Sequence, residues 1–311
     1  MSLRSALAGV LLAATSLAAT SFAVPAFAQS SHLVSTQWLA ENLSNPKVRV
    51  IEVSVNPGLY ERGHLPGAAN LRWHTDLVDT VERDIAKPEQ FQKLLRNAGV
   101  NQDTVTVLYG DNNNWFAAWG AWVFDIYGIE NVKLLDGGRK KWEAEGRALA
   151  TAAVTPAQGS VTVKPANAAL RARLADVVAA ARKESNVALV DIRSADEYSG
   201  KVIAPNGVQE LSIRAGHVPG AINVPWGRLV AEDGTFKPVE ELRALYAAVG
   251  IDGSKEIITY CRIGERSSHS WFALSKLLGY KVRNYDGSWT EYGNSVGVPI
   301  ANPAGTVWGK V

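Results

Sequence analysis

The chain repeats itself, and the repeat limits what it can fold into. Gly63-His64-Leu65-Pro66-Gly67-Ala68 returns as Gly216-His217-Val218-Pro219-Gly220-Ala221, and each copy runs on to a tryptophan, Trp73 and Trp226. Upstream, the apolar run Val48–Val53 matches Val187–Ile192; downstream, Val105–Tyr109 matches Ile257–Cys261. Leu135-Asp136-Gly137-Gly138 corresponds to Tyr285-Asp286-Gly287-Ser288. Four landmarks in one order, offset by roughly 150 residues, predict two copies of one domain-sized unit. Within each half, short β-branched runs alternate with helical stretches such as Leu174–Glu184 and Ser268–Leu278. That alternation predicts an α/β fold, each half a mainly parallel sheet flanked by helices. The first domain is expected at 29–150 and the second at 171–311, with 151–170 between them. The Ala-, Thr-, Pro- and Gly-rich stretch Thr151–Asn167 has no amphipathic period and reads as the linker. The second half carries an extra stretch, Gly200–Ala215, expected as a surface loop beside the mouth of any site.

Residues 1–28 read as a signal peptide: Arg4, an apolar run Ala6–Ala19, then Ala26-Phe27-Ala28 before Gln29. The reading predicts an exported, periplasmic chain, the alternative being an uncleaved anchor. No later stretch is long and apolar enough to cross a bilayer. The formal net charge of +2, with no basic block, argues against a nucleic-acid surface. No His, Cys or carboxylate spacing suggests a metal site or calls for a cofactor. There is one cysteine, so no intramolecular disulfide can form. The lone thiol is either a small buried hydrophobe or a reactive group.

Its setting favours reactivity. Ile257-Ile258-Thr259-Tyr260 is a buried-strand pattern with Cys261 as its last residue, and Arg262–Ser268 leads into a helix carrying Trp271, Phe272, Leu274, Leu277 and Leu278. A cysteine between the carboxyl end of a parallel strand and a helix amino terminus meets unpaired N–H groups and the positive helix end. Those groups, with Arg262 and Arg266, predict a lowered thiol pKa. Gly264 lets the backbone bend so that several N–H groups converge on one sulfur.

The run Cys261–Ser267, Cys-Arg-Ile-Gly-Glu-Arg-Ser, resembles the active-site loop of thiosulfate sulfurtransferases, the rhodaneses. The duplicated Gly-His-x-Pro-Gly-Ala motif resembles the tandem-domain members of that family, over about Leu33–Trp289. The resemblance implies two rhodanese-like domains and a two-step transfer. Cys261 attacks the outer sulfur of thiosulfate, sulfite leaves, and a thiophilic acceptor such as cyanide or a thiol removes the sulfur from the persulfide. A populated thiolate would need no general base. Arg262, Ile263, Gly264, Glu265 and Arg266 are the expected substrate-binding loop, the two arginines holding the sulfonate. Cysteine phosphatases place their arginine six residues after the nucleophile; here Arg266 is five residues after Cys261, and the tighter loop favours sulfur over phosphate. Relatives that use mercaptopyruvate carry small or hydroxyl residues after the cysteine, so Arg262 points to thiosulfate. One departure weighs the other way: Glu197 stands where two-domain rhodaneses often have an anion-binding arginine. That leaves the sulfonate to Arg262 and Arg266, alone or with Arg214.

The first half carries Tyr109–Trp115 in place of the cysteine loop and is expected to be a noncatalytic copy that walls the site. Trp115, Trp119 and Trp122 recur at helical spacing and read as core or interface. His64 and His217 recur in both halves and read as turn residues, not catalysts. Asp191 and Arg193 read as loop-bonding, and His269 is disfavoured as a cation at the start of a helix. Three readings remain: a thiosulfate sulfurtransferase, a 3-mercaptopyruvate sulfurtransferase, and a noncatalytic carrier that holds a persulfide.

Overall fold

The structure, a computed structural model, describes residues 32–207 and 211–307. The expected signal peptide and its cleavage point lie outside the described residues, as do 208–210 of the extra stretch. The first half contributes strands β1 (Leu33–Val34), β2 (Val48–Glu52), β3 (Ala69–Asn70), β4 (Val105–Tyr109) and β5 (Val132–Leu135). The second contributes β6 (Arg171–Ala172), β7 (Val187–Asp191), β8 (Ile222–Asn223), β9 (Glu256–Tyr260) and β10 (Val282–Tyr285). Each set forms one sheet with the same order, β1-β5-β4-β2-β3 and β6-β10-β9-β7-β8, and the strands pair in parallel throughout. Helices α1 (Thr36–Asn42), α2 (Leu59–Arg62), α3 (Pro88–Asn97), α4 (Trp115–Ile126) and α5 (Gly138–Ala144) cover the first sheet. The second has α6 (Leu174–Ala181), α7 (Ala195–Ser199), α8 (Val239–Ala247), α9 (Glu265–Phe272) and α10 (Ser288–Tyr292).

The strands are apolar on both faces because helices lie on both, and their residues alternate between two cores. Val48 and Val50 face an outer core with Leu39 and Trp142, while Ile51 and Val53 face an inner one. Ile258 and Tyr260 face the outer core of the second half; Ile257 and Cys261 face inward. The inner core is shared: it runs without a break from Leu108 and Trp119 of the first half to Val190 and Trp271 of the second. Its centre is the packing of α4 on α9. Ten of the twelve residues of α4 and all eight of α9 are buried. An ion pair between Asp125 and Lys276 fastens the far end.

The repeat extends to how the halves grip each other. Asp136, after β5, accepts a bond from the Phe236 N–H of the second half at 2.9 Å, and Asp286, after β10, accepts one from Trp119 Nε1 of the first at 2.8 Å. The stretch read as a linker is strapped down. It has no helix or strand over 151–167, yet Gly159, Val161, Lys164 and Asn167 donate N–H bonds to carbonyls of Arg96, Val100, Tyr127 and Ile126.

Candidate active site

Strand β9 ends at Tyr260, so Cys261 is the first residue beyond the strand rather than its last. The following helix begins at Glu265, three residues before the sequence pattern placed it. The reason is Gly264, whose φ of +98° turns the chain sharply into the helix. A Cβ there would lie 2.7 Å from the Asp286 carbonyl oxygen and 2.6 Å from its Oδ1, so the position admits glycine alone. The loop is therefore only Cys261–Gly264, and Glu265 and Arg266 belong to the first turn of α9.

The cysteine is fully buried. Its sulfur accepts the Gly264 N–H at 3.1 Å, and its own N–H is held by Ser288 Oγ at 3.1 Å. Ser288 has a φ of +51°, and its hydroxyl donates to the Tyr285 carbonyl at 2.7 Å and stands 4.0 Å from the sulfur. The Glu265 carboxylate lies on the other side, with Oε2 3.5 Å from Sγ and in line to accept the thiol proton. The Gly264 carbonyl is pinned by Ser267 Oγ (3.0 Å), Ser268 Oγ (2.8 Å) and Asn284 Nδ2 (3.2 Å).

The electrostatics correct the expectation of a lowered thiol pKa. Burial pushes the Cys261 thiol up and the Glu265 carboxylate pushes it further; Arg266 and the Ser267 N–H and hydroxyl oppose them and lose. Nor is Arg266 free to hold a sulfonate. Its Nη1 and Nη2 bind Glu197 at 3.3 and 3.1 Å, its Nε lies 3.9 Å from Glu265, and its face sits 6.0 Å from the centre of the Trp115 ring. Glu197 is thus the counter-ion of Arg266. Burial raises its pKa, but the charge and hydrogen bonds of Arg266, with Arg193 and the Ser194 N–H, hold the carboxyl below its usual range. Arg214 is also spent elsewhere, on the carbonyls of Tyr292, Gly293, Ser295 and Val298. Arg262 and Ile263 are half-buried on the loop, and the carbonyl of Arg262 accepts the Thr290 N–H at 2.9 Å.

The first half was expected to wall the site, and it reaches the loop through Arg83, a residue the sequence did not single out. Arg83, held at a φ of +57°, donates to the Ile263 carbonyl at 2.5 Å and to both the carbonyl and carboxylate of Asp286 at 3.3 Å. Asp286 also binds Arg171 at 3.2 Å. A cleft of about 400 Å³ lies between the halves here, lined by Arg83, Asp84, Arg171, Arg173, Asp286 and Thr290; Cys261 does not line it. The first-half counterpart of Cys261 is Gly110, one residue later than the motif alignment suggests. Tyr109 pairs with Glu52 as Tyr260 pairs with Asp191, and their hydroxyls accept the Leu65 and Val218 N–H groups. A Cβ on Gly110 would stand 2.2 Å from the Val53 carbonyl oxygen, so no thiol fits there.

The bystanders are bystanders. His64 and His217 bond through Nδ1 to the carbonyls of Tyr60 and Tyr198 and stack on those rings. Asp191 and Arg193 form a buried pair, Arg193 also holding the Gly216 carbonyl. His269 is buried against Phe236, and burial holds its imidazole down to about 3. Trp115, Trp119 and Trp122 lie along the junction of the halves, Trp122 Nε1 binding the Leu170 carbonyl. No group of three or more His, Cys, Asp or Glu side chains suited to a metal occurs among the described residues.

Comparison with known proteins shows the family and the fold. A model of the rhodanese-like domain matches the chain twice, over residues 35–145 and 174–295. A Mycolicibacterium smegmatis protein named "Putative thiosulfate sulfurtransferase" is 54% identical over 88% of this chain and 98% of its own length. A Thermus thermophilus protein named "Sulfur carrier protein TtuD" is 51% identical over 86% of this chain and 96% of its own. Among solved structures, the 3-mercaptopyruvate sulfurtransferase SseA from Escherichia coli superposes with a TM-score of 0.70 at 30% identity, covering 83% of this chain and 98% of that one.

Proposed function

The chain belongs to the rhodanese family and is a sulfurtransferase, and from that premise we propose that it moves the outer sulfur of thiosulfate through a Cys261 persulfide to a thiophilic acceptor, cyanide or a thiol, releasing sulfite. One observation carries the choice of nucleophile: the chain's single thiol sits in a four-residue loop at the head of α9 with the Gly264 N–H aimed at its sulfur from 3.1 Å. In loading, a lone pair on Sγ forms a bond to the outer sulfur of thiosulfate, and the S–S bond of thiosulfate breaks with its electron pair on sulfite. In unloading, the acceptor takes the terminal sulfur and the pair of the Cys–S–S bond returns to Sγ. The backbone N–H of the loop and the N-terminal end of α9 favour negative charge on the terminal sulfur. We assign the sulfonate to Arg262, the guanidinium next to the nucleophile on the half-buried part of the loop. Because Sγ is wholly covered, the loop must open for donor and acceptor in turn.

Thiocyanate formed from thiosulfate and cyanide tests the reading, together with a persulfide adduct of about 32 Da, one sulfur on the cysteine. Cys261→Ser should abolish both while leaving the unfolding midpoint nearly unchanged; retained transfer would place the nucleophile elsewhere. The ratio of kcat/KM for thiosulfate and 3-mercaptopyruvate decides the donor, and a ratio favouring mercaptopyruvate overturns the assignment to Arg262. The sealed sulfur also suits a carrier, the role in the name of the Thermus relative; a persulfide that outlives excess cyanide would favour that reading. Export rests on the pattern of residues 1–28 and is proposed with it: the mature chain should begin at Gln29 by amino-terminal sequencing.

A further inference from the structure

Given Cys261 as the sulfur-carrying nucleophile, we propose that the Glu265 carboxylate is its general base, taking the thiol proton as the sulfur attacks and returning it when the sulfur is delivered. The geometry is direct: Oε2 is 3.5 Å from Sγ, and the cysteine is placed as donor. Both groups are buried, at 0% and 4% exposure, so water does not stand in for the carboxylate at rest. Its other oxygen, Oε1, faces Arg266 Nε at 3.9 Å, and Arg266 is itself fixed by both oxygens of Glu197. Glu197 is locked in turn by the Ser194 N–H and hydroxyl at 3.0 Å. A chain of charge thus runs from the start of α7 to the sulfur and fixes the direction in which Glu265 points. The other charged groups around the loop are Arg262, next to the cysteine, and Arg83 and Arg171, both paired with Asp286, which packs against Gly264.

A carboxylate beside a sulfur that must become an anion is otherwise a liability. Fixed in its charged form it repels both the thiolate and the dianionic donor. Proton transfer removes the conflict, because thiol plus carboxylate becomes thiolate plus carboxylic acid at constant net charge. In loading, the Cys261 S–H bond breaks, the proton goes to Oε2, and the sulfur pair attacks thiosulfate as sulfite departs. The site then holds Cys–S–S⁻ beside a neutral Glu265 that can donate a hydrogen bond to it. When cyanide removes the sulfur, the thiolate recovers the proton from Glu265 and thiocyanate leaves. Charge and atoms balance with no further reactant.

The test is Glu265→Gln, read by sulfite release in a single turnover with thiosulfate, and by alkylation of Cys261 with iodoacetamide, which needs no sulfur donor. A general base is typically worth about 10²-fold or more, so both reactions should slow by about that factor at neutral pH. Both should then climb about tenfold per pH unit in the variant, since direct ionisation must supply the thiolate. A urea unfolding midpoint close to that of the wild type shows the variant to be folded. Glu265→Asp, which keeps the acid–base group, should recover part of the loss. A purely repulsive Glu265 gives the opposite result, because removing its charge would ionise the thiol more easily. Glu265→Gln reacting as fast as wild type or faster overturns the proposal. If the wild-type chain fails to load from thiosulfate, the donor reading falls, and alkylation still decides on Glu265.

Discussion

Glu197→Gln separates the charge of Glu197 from its shape. Glutamine keeps the length, and its carbonyl can still accept from the Ser194 N–H in the capping box at the start of α7. What disappears is the negative partner of Arg266, in a pair whose side chains are 9% and 1% exposed. Stranding one member of a buried pair costs about 3–5 kcal/mol. Here the glutamine oxygen still accepts one hydrogen bond, and Glu265 remains 3.9 Å from Arg266 Nε, so the expected loss is about 2–3 kcal/mol. In a thermal melt that is a fall of roughly 4–12 °C, at about 2–4 °C per kcal/mol for a chain of this size. The pH dependence follows from the same pair. The folded pKa of Glu197 is below its ordinary 4.5, so its contribution is complete above that value and is lost as pH falls through the folded pKa. The gap between wild type and variant should therefore be constant at neutral pH and close below about pH 4.5. Urea midpoints measured from pH 7 down to pH 3 give both quantities. A neutral-pH loss under about 0.5 kcal/mol, the worth of an exposed pair, or a gap that widens in acid, would refute the assignment of Glu197 as the counter-ion of Arg266.

Gly264→Ala places a Cβ within 3 Å of Asp286 at a φ of +98°, and should lose about 2–4 kcal/mol and most of the sulfur transfer, as read by urea unfolding and thiocyanate formation. Arg83→Ala removes the first-half hold on the Ile263 carbonyl; it should cost about 1–2 kcal/mol and raise the rate of Cys261 alkylation, a change that mere surface loss would not cause. Gly110→Cys should fail to give a second persulfide and should destabilise the chain, because the Val53 carbonyl occupies the space its Cβ needs; two sulfur adducts by mass would refute this.

The parts of this architecture carried by local pattern were readable from the residues. The doubled Gly-His-x-Pro-Gly-Ala motif anticipates two sheets of identical order, and its histidines stack in the turns where symmetry placed them. Cys261 stands between strand and helix as the apolar run before it implies. What the pattern missed depends on three-dimensional proximity. The Cys261–Glu265 contact needs the helix to start at Glu265, and that onset is set by Gly264 folding against Asp286, a residue on the next strand-end loop. Arg266 looked available because Glu197 is 69 residues away in the chain. The thiol looked ionised because helix ends and arginines are visible in a sequence, whereas burial in the inner core is not.

That burial bears on how the chain matures. Helix α4 belongs to the part synthesised first, and the face it packs on α9 has no cover until α9 exists; Trp119 waits for Asp286, 167 residues later. Contacts closed over such a separation form late. Until they form, the face of α4 that packs on α9 is exposed, and the first half is sticky. Docking of the halves is therefore the step that hides this face, so assembly faults should appear first as association through α4 and only later as lost fold.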